Sequence, residues 1–136
     1  MLITNKMHKR QMGMFIDKDH AVMHKFYDII DKNISTNQLL KEMYRLIEID
    51  KNFYDPYLII AEILFDQNKN KDATEVLQTA YERAVMTIVD YKGRWPKKMP
   101  WGFLENRHLM RVIEEYAIFC WEINEIDEAL EIFQHL

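Results

Sequence analysis

One spacing constrains this chain more than any other. Leu39, Met43 and Leu46 follow one another at steps of four and three residues, as do Ala73, Leu77 and Ala80, and again Ala129, Phe133 and Leu136. Steps of four and three keep side chains on one face of an α-helix, so each trio marks an amphipathic helix. The trios are themselves in register. Leu39 to Ala73 is 34 residues, and Ala73 to Ala129 is 56, which is 34 plus an excess of 22. The helix before each trio keeps the same register: Tyr57, Ile60, Ala61 and Leu64 correspond to Ile113, Tyr116, Ala117 and Cys120, and more weakly to Met23, Phe26, Tyr27 and Ile30. A repeated pair of amphipathic helices buries little by itself, so the pairs must stack.

Local signals divide the chain in the same places. Helical spacing runs from His20 to Asn33. Ser35-Thr36-Asn37-Gln38 fits a capping box in which Ser35 bonds the Gln38 amide and Gln38 reaches back, so a helix over Thr36–Ile49 is expected. Asp55-Pro56 opens the next, with Asp55 as N-cap and Pro56 where no amide bond is needed. It runs to about Asp66 and breaks at 67–70. A fourth helix is expected from Lys71 to about Asp90, a fifth from Glu105 to Ile123 and a last from Ile126 to the end. Residues 92–103 hold two of the three prolines and two of the three glycines and form a loop. No strand with period-two alternation stands out. The expected fold is all-α, about six helices in antiparallel hairpins at about 20–53, 54–91 and 104–136. Residues 1–19 form a separate segment, expected to be flexible, before a helical domain over 20–136.

Composition excludes several functions. In 136 residues Gly13, Gly93 and Gly102 are too scattered for a phosphate-cradling loop. The lone Cys120 excludes an internal disulfide and a cysteine zinc site, and implies a reducing, cytoplasmic setting. No apolar run is long enough for a membrane span, and Met1–Phe15 lacks the apolar stretch of a secretory signal. The net charge of −4 conceals a polarity: residues 92–111 carry six basic residues and one acid, whereas residues 112–136 carry seven acids and no Lys or Arg.

The register resembles that of the tetratricopeptide repeat (TPR) family. The family's bulky, apolar-small, alanine, bulky and alanine positions are matched by Tyr57, Ile60-Ala61, Ala73, Leu77 and Ala80, and by Tyr116-Ala117, Ala129 and Phe133, with Leu136 at the second alanine. Small residues at these positions let the helices of a hairpin approach closely. The hairpin at 20–53 departs from the pattern, with Tyr27 at the small position, Leu39 at the alanine and Lys51 at the closing proline. The segment Trp101-Gly102-Phe103-Leu104-Glu105-Asn106-Arg107 also resembles one recurring in a group of bacterial TPR proteins. Members of that group run on past the point matching Leu136, which implies a truncated end here.

What the resemblance implies is a short right-handed solenoid whose first helices line a concave groove. Carried onto this chain, the groove positions are Asp55, Leu58, Ile59, Glu62, Phe65 and Asp66, then Arg111, Glu114, Glu115, Ile118, Trp121 and Glu122. Six carboxylates around an apolar floor favour a basic, amphipathic peptide or helix. Leu58 and Glu62 stand where chaperone-binding TPR modules carry Lys and Asn, so a carboxylate clamp is not expected. The function expected is a non-catalytic protein–protein interaction module, with no cofactor. The alternative is a self-associating scaffold, a homodimer sealed over Leu130, Phe133 and Leu136, because an open solenoid end needs a cover.

Other constellations carry less. His20, His24 and Asp28, at i, i+4 and i+8, place two imidazoles and a carboxylate on one helix face, but no fourth ligand accompanies them and no metal is expected. No nucleophile–base pair is evident, so no enzyme is expected. In the loop, Arg94, Trp95, Lys97, Lys98 and Trp101 mix cations with aromatics as single-strand nucleic-acid binders do. In an acidic chain the simpler expectation is that Trp95 and Trp101 fold back over the gap between hairpins.

Overall fold

The computed structural model describes residues 13–136 together with the backbone of Lys9–Gln11. Met1, Met7 and Met12, part of the segment expected to be flexible, lie outside the described residues. The described chain is helical from residue 22 onward: α1 Val22–Ile30, α2 Thr36–Ile49, α3 Asp55–Asp66, α4 Asn70–Ile88, α5 Leu104–Glu122 and α6 Ile126–Phe133. Successive helices pack on one another and α3 also touches α5. None is long and apolar enough to cross a membrane.

Two short strands precede the helices. β1 Lys9–Gln11 and β2 Met14–Ile16 pair antiparallel, with Gln11 opposite Met14. Three residues a strand are too few for alternation to register in a sequence. Gly13 turns the hairpin at φ +79°, a conformation glycine adopts without a Cβ penalty. The hairpin is anchored from below: the amide of Phe15 donates to Lys98 O at 2.8 Å and the amide of Lys98 to Gly13 O at 2.9 Å. Residues 13–20 are therefore a packed part of the molecule. Phe15 is fully buried in the core, so the described part of the N-terminal segment packs against the helices.

Helix starts follow local chemistry, with two departures. Ser35 Oγ accepts from the Gln38 amide at 3.1 Å, as expected. The return arm does not form; the Gln38 side chain donates instead to Glu42 Oε1 at 3.0 Å. Asp55 is not an N-cap: Tyr54 holds that place, and Asp55 is already helical and buried. Its carboxylate is engaged by Arg111, while the Tyr57 and Leu58 amides bond to the Tyr54 carbonyl. Helix α1 begins after His20 and buries Val22, Phe26 and Ile29, leaving Tyr27 and Ile30 exposed. The buried residues keep the four–three spacing, one position round from the expected face.

Two apolar clusters form the core. One gathers α1 and α2 with Phe53, Ile60, Leu64 and Ala73; the other joins Phe15 and Tyr54 to α4, α5 and α6. Ile47, Phe65 and Val76 pack against both. The alanines of the repeated spacing, Ala73, Ala80, Ala117 and Ala129, are fully buried, as close helix approach requires. Cys120 is buried among them. Tyr81 of α4 and Tyr116 of α5 stack at 4.2 Å and 17°.

Candidate functional site

Two arrangements of polar side chains stand out, one open and one sealed. The open one is a groove of about 850 Å³ between α3 and α5, with α4 as a third wall. Leu58, Ile59 and Phe65 of α3 face Ile118 and Phe119 of α5 across its floor, and the Phe65 and Phe119 rings lie 5.9 Å apart. Glu62, Asp66, Glu115 and Glu122 line it, and among the described residues no Lys or Arg does. Glu115 registers the crowding: burial, then the charges of Glu114, Glu62 and Glu122, push its carboxyl above the usual carboxylate range.

Eight of the twelve expected groove residues thus meet: Leu58, Ile59, Glu62, Phe65, Asp66, Glu115, Ile118 and Glu122. Four do not line it. Glu114 and Trp121 are exposed on α5 outside the lining. Asp55 and Arg111 are tied to each other, Nε to Oδ1 at 2.8 Å and Nη2 to Oδ2 at 2.6 Å, a bidentate bridge between α5 and the start of α3. Asn70, Thr74 and Leu77 of α4 are wall residues that the sequence reading missed. Their own steps of four and three were the available signal.

The sealed arrangement unites residues the sequence keeps far apart. The turn before α1 supplies Asp17 and His20, the end of α2 supplies Asp50, and the first turns of α5 supply Asn106 and His108. Asp17 Oδ2 lies 2.9 Å from His20 Nε2 and 2.7 Å from His108 Nε2, and Asn106 Oδ1 accepts from the Asp17 amide at 2.7 Å. His20 Nδ1 meets Asp50 Oδ2 at 2.5 Å. Asp17, His20, Asn106 and His108 are all buried. No buried side-chain nitrogen or oxygen among the described residues lacks a partner.

The geometry assigns the protons. The Tyr54 amide donates to His108 Nδ1 at 3.0 Å, so Nδ1 carries the lone pair and Nε2 the hydrogen that Asp17 accepts. Burial keeps this imidazole neutral, holding its pKa below the ordinary value despite Asp17. His20 has a carboxylate at each nitrogen. Burial opposes its charge, but the bonds from Asp17 and Asp50 outweigh it and raise its pKa. Burial likewise opposes the Asp17 carboxylate, yet the bonds from His108 and His20 hold it down at about 2.

One ligand atom from each of Asp17, His20 and His108 lies within 4.8 Å of the others, a grouping a metal ion could use. The tautomer argues against it. For Nε2 of His108 to bind a metal, its proton must move to Nδ1, where it would point at the Tyr54 N–H. This is a hydrogen-bonded ion cluster rather than a ligand set. The expected face of His20, His24 and Asp28 does not exist, because His20 lies before α1 with its ring buried while His24 and Asp28 are exposed on the helix.

The loop splits its candidates. Trp95 folds back and stacks on His135 at 4.0 Å and 6°, packed against the core. Trp101 stays exposed beneath the Arg107 guanidinium, 5.0 Å from its ring centre, which corrects the expectation that it covers a gap. Arg94 pairs with Asp90 at 2.9 Å, and the Lys97 and Lys98 side chains are exposed. On α6, Leu130 is exposed and Phe133 half-buried, with exposed Leu136 just beyond. Comparison with family models, curated proteins and solved structures finds no match for this chain.

Proposed function

We propose that the chain is a non-catalytic TPR-like interaction module that holds a basic, amphipathic peptide or helix of a partner protein between α3 and α5. One observation carries the reading: Glu62, Asp66, Glu115 and Glu122 converge on an apolar floor with no cation lining it among the described residues. Carboxylates held together at such a place repel one another, as the raised pKa of Glu115 registers. A cationic amphipathic ligand relieves that repulsion and covers Leu58, Ile59 and Ile118 in one step. Support for a TPR-like arrangement comes from the 34-residue register, from buried alanines at its small positions and from the packing of α3 on α5.

Fluorescence anisotropy with labelled synthetic peptides tests the reading. Lysine-bearing amphipathic peptides should bind more tightly than glutamate-bearing ones of the same apolar face, and Glu62→Lys with Glu115→Lys should abolish the difference. Equal affinity for both peptides, or binding unmoved by the double substitution, would sink it. Exposed Leu130 and Leu136 favour a second role, a homodimer sealed over α6. Sedimentation showing a monomer at high micromolar concentration excludes that role.

A further inference from the structure

The face that forms the groove continues past its acidic end. Stepping back along α5 from Glu115 in fours reaches Arg111 and then Arg107, and stepping back along α3 from Glu62 reaches Leu58 and then Asp55. Here the chemistry reverses. Trp101 lies beneath two guanidiniums, Arg107 at 5.0 Å and Arg111 at 5.8 Å, and Arg111 Nη2 is 3.5 Å from the Tyr27 hydroxyl. Arg111 is balanced by Asp55, but Arg107 is not: its Nε donates to the Trp101 carbonyl at 3.0 Å, and it makes no ion pair among the described residues. The same face thus carries an uncompensated cation at one end and uncompensated carboxylates at the other.

These opposite charges do not cancel each other. Arg107 precedes Glu115 by two turns, about 12 Å at 1.5 Å per residue, beyond the screening length of about 8 Å at physiological salt. A ligand lying along the groove meets both.

We infer that the groove takes a charge-polarised peptide segment of a partner protein, its Lys/Arg end on Glu62, Glu115 and Glu122 and its Asp/Glu end on Arg107 over Trp101. This rests on the groove reading above and adds polarity and length to it. From Arg107 to Glu122 the face spans about 22 Å, room for about 15 residues of helix. A carboxylate on Arg107 makes a charge-assisted contact, and the Trp101 indole 5.0 Å away supports the guanidinium from beneath.

Three synthetic 15-residue amphipathic peptides with one common apolar face test the inference by anisotropy at low salt. One carries lysines at one end, one carries lysines at one end and glutamates at the other, and one carries glutamates alone. The mixed peptide should bind about three- to tenfold more tightly than the lysine-only peptide. On Arg107→Gln the two should become equal, and Trp101→Ala, at an exposed position, should give the same convergence where Arg107→Gln does not fold. No gain for the mixed peptide, or a gain that survives both substitutions, overturns the polarity while the groove reading stands. Failure of the lysine-only peptide to bind overturns the groove reading, and the polarity with it.

Discussion

At the scale of residues, Asp17 is the hinge of the sealed cluster, because two imidazoles donate to one of its oxygens. Asp17→Asn keeps the size but puts an amide where a carboxylate neutralised His20. Removing one partner of a buried ion pair costs about 3 kcal/mol, so urea unfolding should show a loss of that order; a loss under about 1 kcal/mol would mean the charge is dispensable. Protonation adds a signature. His20 has a folded pKa above its unfolded value of 6.5, so its stabilisation is fully present below pH 6.5 and is lost as pH rises through the folded value. His108 is shifted the other way, so its contribution is present above pH 6.5 and is lost as pH falls. Asp17, at about 2 when folded against 3.8 unfolded, adds stability above pH 3.8 that is lost as pH falls through about 2. The Tm should therefore decline on both sides of a maximum. His20→Gln should flatten the alkaline limb and, because His20 also helps hold the Asp17 pKa down, soften the acid limb as well; an unaltered alkaline limb would show that His20 is not the group responsible.

At the scale of elements, helix ends and helix crossings make separate predictions. The Ser35 cap on α2 is solvent-exposed and touches only the Gln38 amide, so Ser35→Ala should cost about 1 kcal/mol in chemical unfolding. The same substitution should leave peptide binding alone. Ala117 is fully buried on α5. Ala117→Leu should destabilise by about 1–3 kcal/mol through overpacking, read from the denaturation midpoint. A neutral or stabilising outcome would show that the helices do not depend on close approach there.

At the scale of the whole molecule, the N-terminal hairpin and turn tie α5 to the end of α2. Phe15 enters the core beside α5, and Asp17 and His20 connect α5 to the end of α2. Deleting residues 1–19 should therefore lower the Tm of the whole molecule in one cooperative step. Phe15→Ala, which leaves the polar bonds intact, should cost about 3–5 kcal/mol. A truncated chain with unchanged Tm would show that the segment only decorates the helices.

Sequence alone determined the number and order of the helices, the Ser35 cap and the buried alanines, because each depends on neighbours within one turn and the four–three spacing records them directly. The resemblance to the TPR family also pointed to eight residues that line the groove. Tertiary structure alone decided the sealed cluster. Asp17 and His108 stand 91 positions apart, and neither carries a periodicity that points to the other. A partial signal existed: Asn106 and His108 extend the buried stripe of Leu109, Val112 and Ile113 on α5, and polar residues on a core face require partners. Which partners they meet depends on how a hairpin of two three-residue strands and the turn after it fold over the helices, and burial then sets the protons. Local spacing fixes which face of a helix is buried; only packing decides what that face meets.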